Sequence, residues 1–237
     1  MTPKQGAKSI RPGDVISYMQ MCFNEGVNLQ RGMNFRLRGG KSVVLMSVRA
    51  GAPYNGKVKN DGKVLIYEGH DIAQKKEGPN AKAVDQPMSN PSGSLTQNGL
   101  FFVAAENFKK KVQLEEKVKV YEKIKPGIWV YNGIFNLIDA FIEKDNLRNV
   151  FKFKLELDET KDSLKEGLSD LEHNRMIPSS VKLIVWKRDK GRCVECGKLD
   201  NLHFDHIIPF SKGGSSLVAE NIQILCARHN LKKRDKI

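Results

Sequence analysis

The chain has 237 residues, with 40 Lys and Arg against 27 Asp and Glu, which gives a formal net charge of +13 and a pI near 9.5. This excess of positive charge favours a polyanionic partner such as nucleic acid. The sequence has no visible signal peptide or membrane-spanning apolar stretch, and its four cysteines do not form a secreted disulfide pattern. We therefore expect a cytoplasmic protein with no membrane partner.

The N-terminal two thirds of the chain is predicted to be rich in strands. A helix is predicted over 13–25, with Gly26 as its stop, and another over 98–111 after a loop at 76–94. Asn132-Gly133 is a type I′ hairpin signal between two predicted strands. Short β-branched or aromatic runs predict strands at 42–48, 63–67, 117–121, 128–131, 134–138 and 150–157. This pattern indicates an α+β fold built on a partly open β-barrel with helices.

A boundary follows the last of these strands. Residues 158–173 are charged with few regular apolar positions, which is typical of a linker helix or arm, and Pro178 precedes a predicted helix over 181–190. We predict an N-terminal domain at 1–157, a linker at 158–179 and a C-terminal domain at 180–237. The C-terminal domain holds 12 basic and 6 acidic side chains, so both domains carry net positive charge that can contact phosphate.

The C-terminal domain contains two Cys-x-x-(Cys/His) knuckles, with 29 residues between them. They supply Cys193, Cys196, Cys226 and His229, which are soft or borderline ligands of the kind a tetrahedral structural zinc takes. The remaining cysteine, Cys22, lies in an apolar run where a buried reduced thiol is expected. We therefore predict a structural Zn²⁺ site.

Asp205-His206 and Asn221 stand between the knuckles, and Asn230 follows the second one. Together with the knuckles they resemble the HNH, or ββα-metal, endonuclease family, over roughly residues 180–237. The resemblance implies a β-hairpin followed by a helix, with His206 as general base and with Asp205 and Asn230 holding the catalytic cation. It also implies that Asn221 braces the loop that aims the base.

The chemistry of phosphodiester hydrolysis explains these residue types. A water must lose a proton near neutral pH, and imidazole is the side chain whose ordinary pKa lies closest. Oxygen ligands such as Asp205 and the Asn230 carbonyl suit Mg²⁺ or Mn²⁺. The alternative is a purely structural zinc finger, in which His206 packs in a core and Asp205 caps a turn. His203, two positions from Asp205, is either a phosphate contact or a surface histidine.

A second set of short motifs is spread over most of residues 30–157. It consists of Gly32-Met-Asn-Phe35, Ala52-Pro-Tyr54, Asp61-Gly62, Ile66-Tyr-Glu-Gly-His-Asp71, Asp85-Gln86, Leu95-Thr-Gln-Asn98, Val120-Tyr-Glu-Lys123 and Gly127-Ile-Trp-Val-Tyr-Asn-Gly-Ile134. These motifs resemble the SET and RING finger associated (SRA) domain, also called the YDG domain, in the form that bacteria attach to HNH nucleases. The fold that the resemblance implies is an SRA/PUA-like partly open β-barrel.

The SRA resemblance implies a pocket for a modified cytosine flipped out of double-stranded DNA. Tyr54 and Tyr67 match its two stacking tyrosines, although both are also explained by packing in a barrel. Cytosine N4 donates a hydrogen bond, and the acceptor is either Glu68 or Asp61, which alternatively only starts a turn. Lys75 and Lys76 either contact DNA or form a solvated charge run.

The two resemblances together imply a bacterial SRA-HNH, type IV-like, modification-dependent restriction endonuclease. Such an enzyme binds DNA containing 5-methylcytosine or 5-hydroxymethylcytosine and hydrolyses phosphodiester bonds nearby. A single HNH site cuts one strand, so we expect a homodimer. The alternatives are an HNH nicking or homing-type endonuclease whose N-terminal domain reads sequence, and an inert zinc-containing reader.

Overall fold

A computed structural model describes residues 10–47, 57–73, 78–145, 148–159, 176–209 and 212–233, apart from the side chains of Lys57 and Asp61. Within these ranges the helices are α1 (Tyr18–Glu25), α2 (Gln97–Lys109), α3 (Ser179–Arg188) and α4 (Ala227–Lys233). The strands are β1 (Val15–Ser17), β2 (Met33–Asn34), β3 (Ser42–Ser47), β4 (Lys57–Lys59), β5 (Val64–Glu68), β6 (Glu116–Lys125), β7 (Ile128–Asp145), β8 (Arg148–Leu157), β9 (Leu202–His206) and β10 (Ile222–Cys226). No helix in the described ranges is long and apolar enough to cross a membrane.

The strands form one large and one small sheet. The large sheet has the order β2-β3-β6-β7-β8-β5-β4, and β1 pairs with β7. In its antiparallel β5-β8 pair, Tyr67 lies opposite Phe153. The small sheet is the antiparallel pair β9-β10, in which Asp205 lies opposite Gln223. The predicted α+β class is confirmed, and the pairing path of the large sheet is open, with β2 and β4 at its ends.

The first helix begins five residues later than predicted. Val15 and Ile16 belong to strand β1, where they lie opposite Val130 and Trp129, so the prediction of a helix from residue 13 was wrong. Ser17 and Gln20 form a reciprocal capping box at the start of α1. The helix ends at Gly26, as predicted, because its φ of 66° places it in the left-handed region.

The predicted hairpin at Asn132-Gly133 was also wrong, because both residues lie inside the continuous strand β7. A type I′ turn needs positive φ at both central residues, and of the two only Gly133 has it, at 100°. The buried Asn132 amide instead donates to Glu122 and accepts from Lys182. Gly127, with a φ of 78°, follows β6 and supplies the turn before β7.

The chain divides into two compact units. Unit 1 comprises residues 1–30, 121–133 and 159–237, and unit 2 comprises residues 31–120 and 134–158. These units are a different division from the sequence domains at 1–157 and 180–237, which stay a prediction. The linker at 158–179 stays a prediction as well, since most of it lies outside the described residues.

Unit 1 has an apolar core that surrounds one buried charge pair. The core includes Val130, Val185 and Phe204. Within this unit, Lys182 Nζ lies 2.6 Å from Glu122 Oε2, and both side chains are almost wholly buried. Burial lowers the pKa of Lys182, and the Glu122 carboxylate acts in the opposite direction. Removal of either partner would leave the other charge buried, so the pair makes residues 121–133 and helix α3 interdependent.

Unit 2 has a separate core built largely from aromatic rings. The Phe101 ring on α2 lies 5.4 Å from Phe35 and 5.8 Å from Phe153, measured between centroids. Helix α2 begins after Thr96, whose side chain accepts a hydrogen bond from Gly99 N. This core includes Phe153 of β8, the strand that pairs with β5, and β5 carries Tyr67 and Glu68, two of the residues considered for base reading.

Candidate active site

The two predicted knuckles come together as a zinc cluster, formed by Cys193, Cys196, Cys226 and His229. Their donor atoms all lie within 4.8 Å of one another. The Cys196 and Cys226 sulfurs are 3.8 Å apart, and His229 Nδ1 lies 3.3 Å from Cys193 Sγ and 3.5 Å from Cys226 Sγ. A tetrahedral zinc with ordinary bond lengths places its ligand atoms about 3.5–3.8 Å apart. The cluster therefore fits a structural zinc ion.

The thiol of Cys193 is prepared for metal binding. Burial alone raises its pKa, but backbone hydrogen bonds from Cys226, Cys196 and Glu195 and a hydrogen bond with His229 lower the pKa to about 6. A thiol with this pKa is largely deprotonated at neutral pH, and the thiolate is the form that binds zinc. These hydrogen bonds therefore favour the thiolate form of Cys193.

Asp205 and His206 end strand β9 and point to opposite faces of it, because side chains alternate along a strand. Both side chains are buried, at 6 % and 4 % exposure. Phe204, on the same face as His206, belongs to the unit 1 core and fixes this end of the strand. The catalytic pair predicted from the sequence thus lies on rigid secondary structure.

His206 contacts a loop that is held in place by Asn221. His206 Nε2 lies 2.8 Å from Ser216 Oγ. The Asn221 amide donates to the carbonyl oxygens of Ile208, at 3.1 Å, and Ser215, at 3.0 Å, and its Oδ1 accepts from Ile208 N at 2.8 Å. Asn221 thus joins the chain just after His206 to the chain just before Ser216.

Gly214 makes this close approach possible. A Cβ atom added to Gly214 would lie 1.8 Å from the Ile208 carbonyl oxygen and 2.7 Å from Asn221 Nδ2, so no side chain fits there. Gly213, with a φ of 84°, provides the left-handed turn before it. The Gly-Gly pair is therefore needed for close packing as well as for the turn.

Lys233, in the last turn of α4, places its ammonium beside the Asp205 carboxylate. Its Nζ lies 2.8 Å from Asp205 Oδ2 and also contacts the backbone carbonyl of His206. Asn230 precedes Lys233 by three residues and so lies on the same face of the helix. The helix therefore presents to Asp205 the face that carries the predicted second metal ligand. We call Asp205, His206, Ser216, Asn221 and Lys233 the nuclease centre.

His203, predicted as a possible DNA contact, is engaged within unit 1. Its Nδ1 lies 2.8 Å from Asp14 Oδ1, and the side chain is 14 % exposed. Gly13 fits closely against the ring, since an added Cβ would lie 2.9 Å from His203 Nε2. This arrangement joins strand β9 to the segment before β1, and a phosphate contact by His203 stays a prediction.

Two of the residues predicted to read the base, Tyr67 and Glu68, make structural contacts within unit 2. Tyr67 is fully buried, and its hydroxyl donates to Leu45 O at 3.0 Å, as expected for a tyrosine packed in a core. The buried Glu68 carboxylate lies 2.9 Å from Lys152 Nζ and 3.7 Å from Arg148 Nη2. Neither geometry tests binding of a flipped base, so both roles stay predictions.

The other predicted reader residues fall outside what the structure describes. Tyr54, Lys75 and Lys76 lie in the ranges that are not described, and so does the side chain of Asp61. Of the predicted nuclease residues, the structure places Asp205 and His206 at the end of β9 and Asn221 on the loop next to them, and it does not describe the predicted base pocket. The roles of Tyr54, Asp61, Lys75 and Lys76 in DNA reading stay predictions.

Sequence reasoning missed Ser216 and Lys233. Ser216 is one of two adjacent serines in a loop, and nothing in its pattern distinguishes it. The sequence could have indicated Lys233 as part of the site, because it follows Asn230 by three residues and so lies on the same face of a helix. Asp14 was missed as the partner of His203 because the two lie far apart in the sequence.

Comparison with known proteins agrees with this description of the C-terminal region. Residues 193–236 match the family model of the HNH endonucleases. No curated protein matches the sequence. The SRA domain of SUVH5 in complex with fully methylated CG DNA is similar, at 22 % identity and a TM-score of 0.43, covering 64 % of this chain and 92 % of that one. The type IV phosphorothioation-dependent restriction endonuclease ScoMcrA is similar at 16 % identity and a TM-score of 0.41, and the match covers 96 % of this chain and 56 % of that one.

The matched segment contains the zinc cluster together with Asp205, His206, Asn221 and Asn230. It is thus an HNH endonuclease domain, which makes the chain a metal-dependent DNA nuclease. The family match supports the enzyme class, and the catalytic roles of Asp205, His206, Asn221 and Asn230 stay predictions.

Proposed function

We propose that the chain is a modification-dependent restriction endonuclease, in which the nuclease centre cuts DNA near a modified cytosine bound by the N-terminal region. The observation that carries the proposal is the contact of the buried His206 with the Asn221-braced loop at the end of β9, directly after the buried Asp205. An inert zinc finger has no need for a buried histidine held by a polar loop and a buried carboxylate next to it in the strand. A nuclease needs both.

In the proposed reaction, His206 takes a proton from water, and the resulting hydroxide attacks the scissile phosphorus. The new P–O bond forms as the bond from phosphorus to the 3′-oxygen breaks, which leaves a 5′-phosphate and, after protonation by solvent, a 3′-hydroxyl. Asn221 supports this step by holding the loop beside His206. General-base catalysis of this kind contributes about 10²- to 10⁴-fold to rate.

Asp205 and Asn230 would hold a divalent cation, which we propose to be Mg²⁺ or Mn²⁺. Bound there, the cation would neutralise charge that develops on the phosphate. The donors fit such an ion, because carboxylate and amide oxygens are hard ligands and the Asp205 carboxylate already pairs with the ammonium of Lys233. The position beside Asp205 is therefore one that accepts positive charge.

We assign DNA reading to the N-terminal region on the SRA-like motifs spread over residues 30–157. A modified cytosine, 5-methylcytosine or 5-hydroxymethylcytosine, would flip out between Tyr54 and Tyr67. Lys152 and Arg148 already engage the Glu68 carboxylate, which favours Asp61 as acceptor of the cytosine amine. Lys75, Lys76 and His203 would contact the DNA backbone, and two protomers would supply the two strand cuts.

A plasmid cleavage assay tests this proposal. Unmodified, 5-methylcytosine and 5-hydroxymethylcytosine forms of one plasmid are incubated with the protein and magnesium. We expect one or both modified forms to be cut and the unmodified form to be spared. Equal cutting of all three would refute reading of the modification and favour the nicking or homing-type alternative, and no cutting of any would refute the nuclease.

A further inference from the structure

Ser216 makes a buried contact with the residue that we propose as general base. Its side chain has no exposed surface, and its Oγ lies 2.8 Å from His206 Nε2. His206 is itself almost wholly buried. A buried hydrogen bond between two such groups fixes the orientation of the imidazole ring about its side-chain bonds.

A serine hydroxyl can donate to a ring nitrogen or accept from it, so the contact with Ser216 fixes where Nε2 lies. A general base must present a ring nitrogen to the water it deprotonates, and this requires a fixed orientation of the imidazole. We propose that Ser216 is the positioning residue of the nuclease centre: its hydroxyl holds Nε2 and so fixes the orientation of the imidazole ring. This inference rests on the proposed function, and the serine itself neither gains nor loses a proton in the reaction.

The loop around Ser216 is rigid enough for this role. The Asn221 amide holds the preceding carbonyl, that of Ser215, at 3.0 Å, and it pairs twice with the backbone of Ile208. The absence of a side chain at Gly214 lets this loop lie against Ile208. A hydroxyl on a loop braced in this way can select one ring orientation, whereas a serine on an unbraced surface loop could not.

Single-turnover cleavage of a methylated duplex with magnesium tests the role of Ser216. Ser216→Ala is expected to lower the cleavage rate about 10- to 100-fold, because the ring loses its fixed geometry, while the Kd for the duplex stays unchanged. Ser216→Thr, which keeps the hydroxyl, is expected to restore most of the rate. Ser180→Ala, at an exposed position in α3, is the matched control and is expected to cleave at the wild-type rate.

Histidine ¹⁵N NMR of the wild-type protein provides a readout that does not depend on cleavage. At alkaline pH, where the imidazole is neutral, we expect one tautomer of His206 to dominate, because the buried contact with Ser216 holds the ring in one environment. In Ser216→Ala we expect a mixture of both tautomers. The measurement on the wild-type protein tests the role of Ser216 even if a variant folds poorly.

Two results would overturn the inference. One is a wild-type cleavage rate in Ser216→Ala, and the other is a His206 ring that populates both tautomers equally in the wild-type protein. These results are distinguishable from failure of the proposed function, which predicts that His206→Ala is inactive. If His206→Ala cleaves normally, the nuclease proposal fails, whereas an inactive His206→Ala beside a fully active Ser216→Ala rejects only the role of Ser216.

Discussion

The nuclease centre and strands β5 and β8 both contain buried polar side chains, but we expect these side chains to serve different purposes. At the nuclease centre, Asp205 and His206 are buried, and His206 contacts a braced loop that we propose orients it for catalysis. In unit 2, Glu68 pairs with Lys152, and Arg148 pairs with Asp71, contacts that hold strands and a loop together. Substitutions in the first region are expected to change catalysis, and substitutions in the second are expected to change stability.

The largest expected effect comes from the metal that supports the nuclease centre. Cys226→Ser removes a thiolate ligand, and we expect it to lower the free energy of unfolding of unit 1 by about 5 kcal/mol or more, because zinc binding contributes directly to folding. Metal analysis by mass spectrometry and urea unfolding measure this. Cys22→Ser, at the free cysteine in α1, is the control, and equal stability of the two variants would exclude a structural zinc.

Acid is expected to weaken unit 2 through His70. Burial, the largest cause, lowers the pKa of His70 from 6.5 to about 4, with Asp71 opposing the shift and Arg31 adding to it. Between pH 6.5 and about 4 the unfolded chain therefore binds a proton that the folded chain excludes. The contribution of neutral His70 to the free energy of unfolding is present above pH 6.5 and is lost as the pH falls through 4. The loss amounts to about 3 kcal/mol at the lower pH.

Urea unfolding between these two pH values compares the wild type with His70→Gln. The variant keeps a neutral polar side chain that does not titrate, so we expect its stability to fall less steeply on acidification. Parallel pH profiles for the two proteins would show that His70 is not held neutral by burial.

Substitution of Glu68 tests whether this residue holds the structure together or reads the modified base. Glu68→Gln leaves Lys152 and the buried Arg148 without one carboxylate, and we expect a loss of about 2 kcal/mol of stability. Glu143→Gln is the matched control, since Glu143 contacts the same Lys152 from an exposed position, and its loss is expected to stay below about 0.5 kcal/mol.

The same two variants are compared for binding to methylated and unmodified duplexes. If Glu68 only holds the structure, Glu68→Gln keeps its preference for the methylated duplex once the protein is folded. Loss of that preference with unchanged stability would identify Glu68 as the residue that meets the cytosine amine.

The smallest effect concerns the cation at Asp205. A unit charge 2.8 Å from this carboxylate interacts by about 1.5 kcal/mol even at the dielectric constant of water, so Lys233 competes with a divalent ion. We expect Lys233→Met to bind Mn²⁺ about tenfold more tightly in the absence of DNA, as measured by calorimetry. Lys232→Met, at an exposed position one residue earlier, is the control, and equal Mn²⁺ affinity in both variants would place the metal away from Asp205.

The sequence predicted the cluster of zinc ligands better than the elements of the N-terminal region, for a physical reason. Zinc ligands need fixed spacing and fixed residue types, so the knuckles are visible in the sequence, and their close approach follows. Ser216 has no such signal, because its role depends on how Asn221 and Gly214 place a loop. Local motifs identify the reacting groups, and tertiary packing selects the residues that orient them.

The errors in the N-terminal region have the same origin. Asn132-Gly133 is a strong hairpin signal, but Lys182 and Glu122 bind the Asn132 side chain in a buried cluster, and the strand continues. Val15 and Ile16 have helical spacing, but β7 offers them backbone partners. In both places long-range partners outweigh local preference, and a single sequence does not reveal those partners.

The central claim is that His206 is the base of a nuclease, and single-turnover cleavage of a methylated duplex by His206→Ala tests it most directly. We predict that the cleavage rate falls at least about 100-fold, while the Kd for the duplex, the zinc content and the Tm stay at their wild-type values. Cleavage at the wild-type rate would contradict the account. So would joint loss of folding, zinc and DNA binding, which would make the histidine structural.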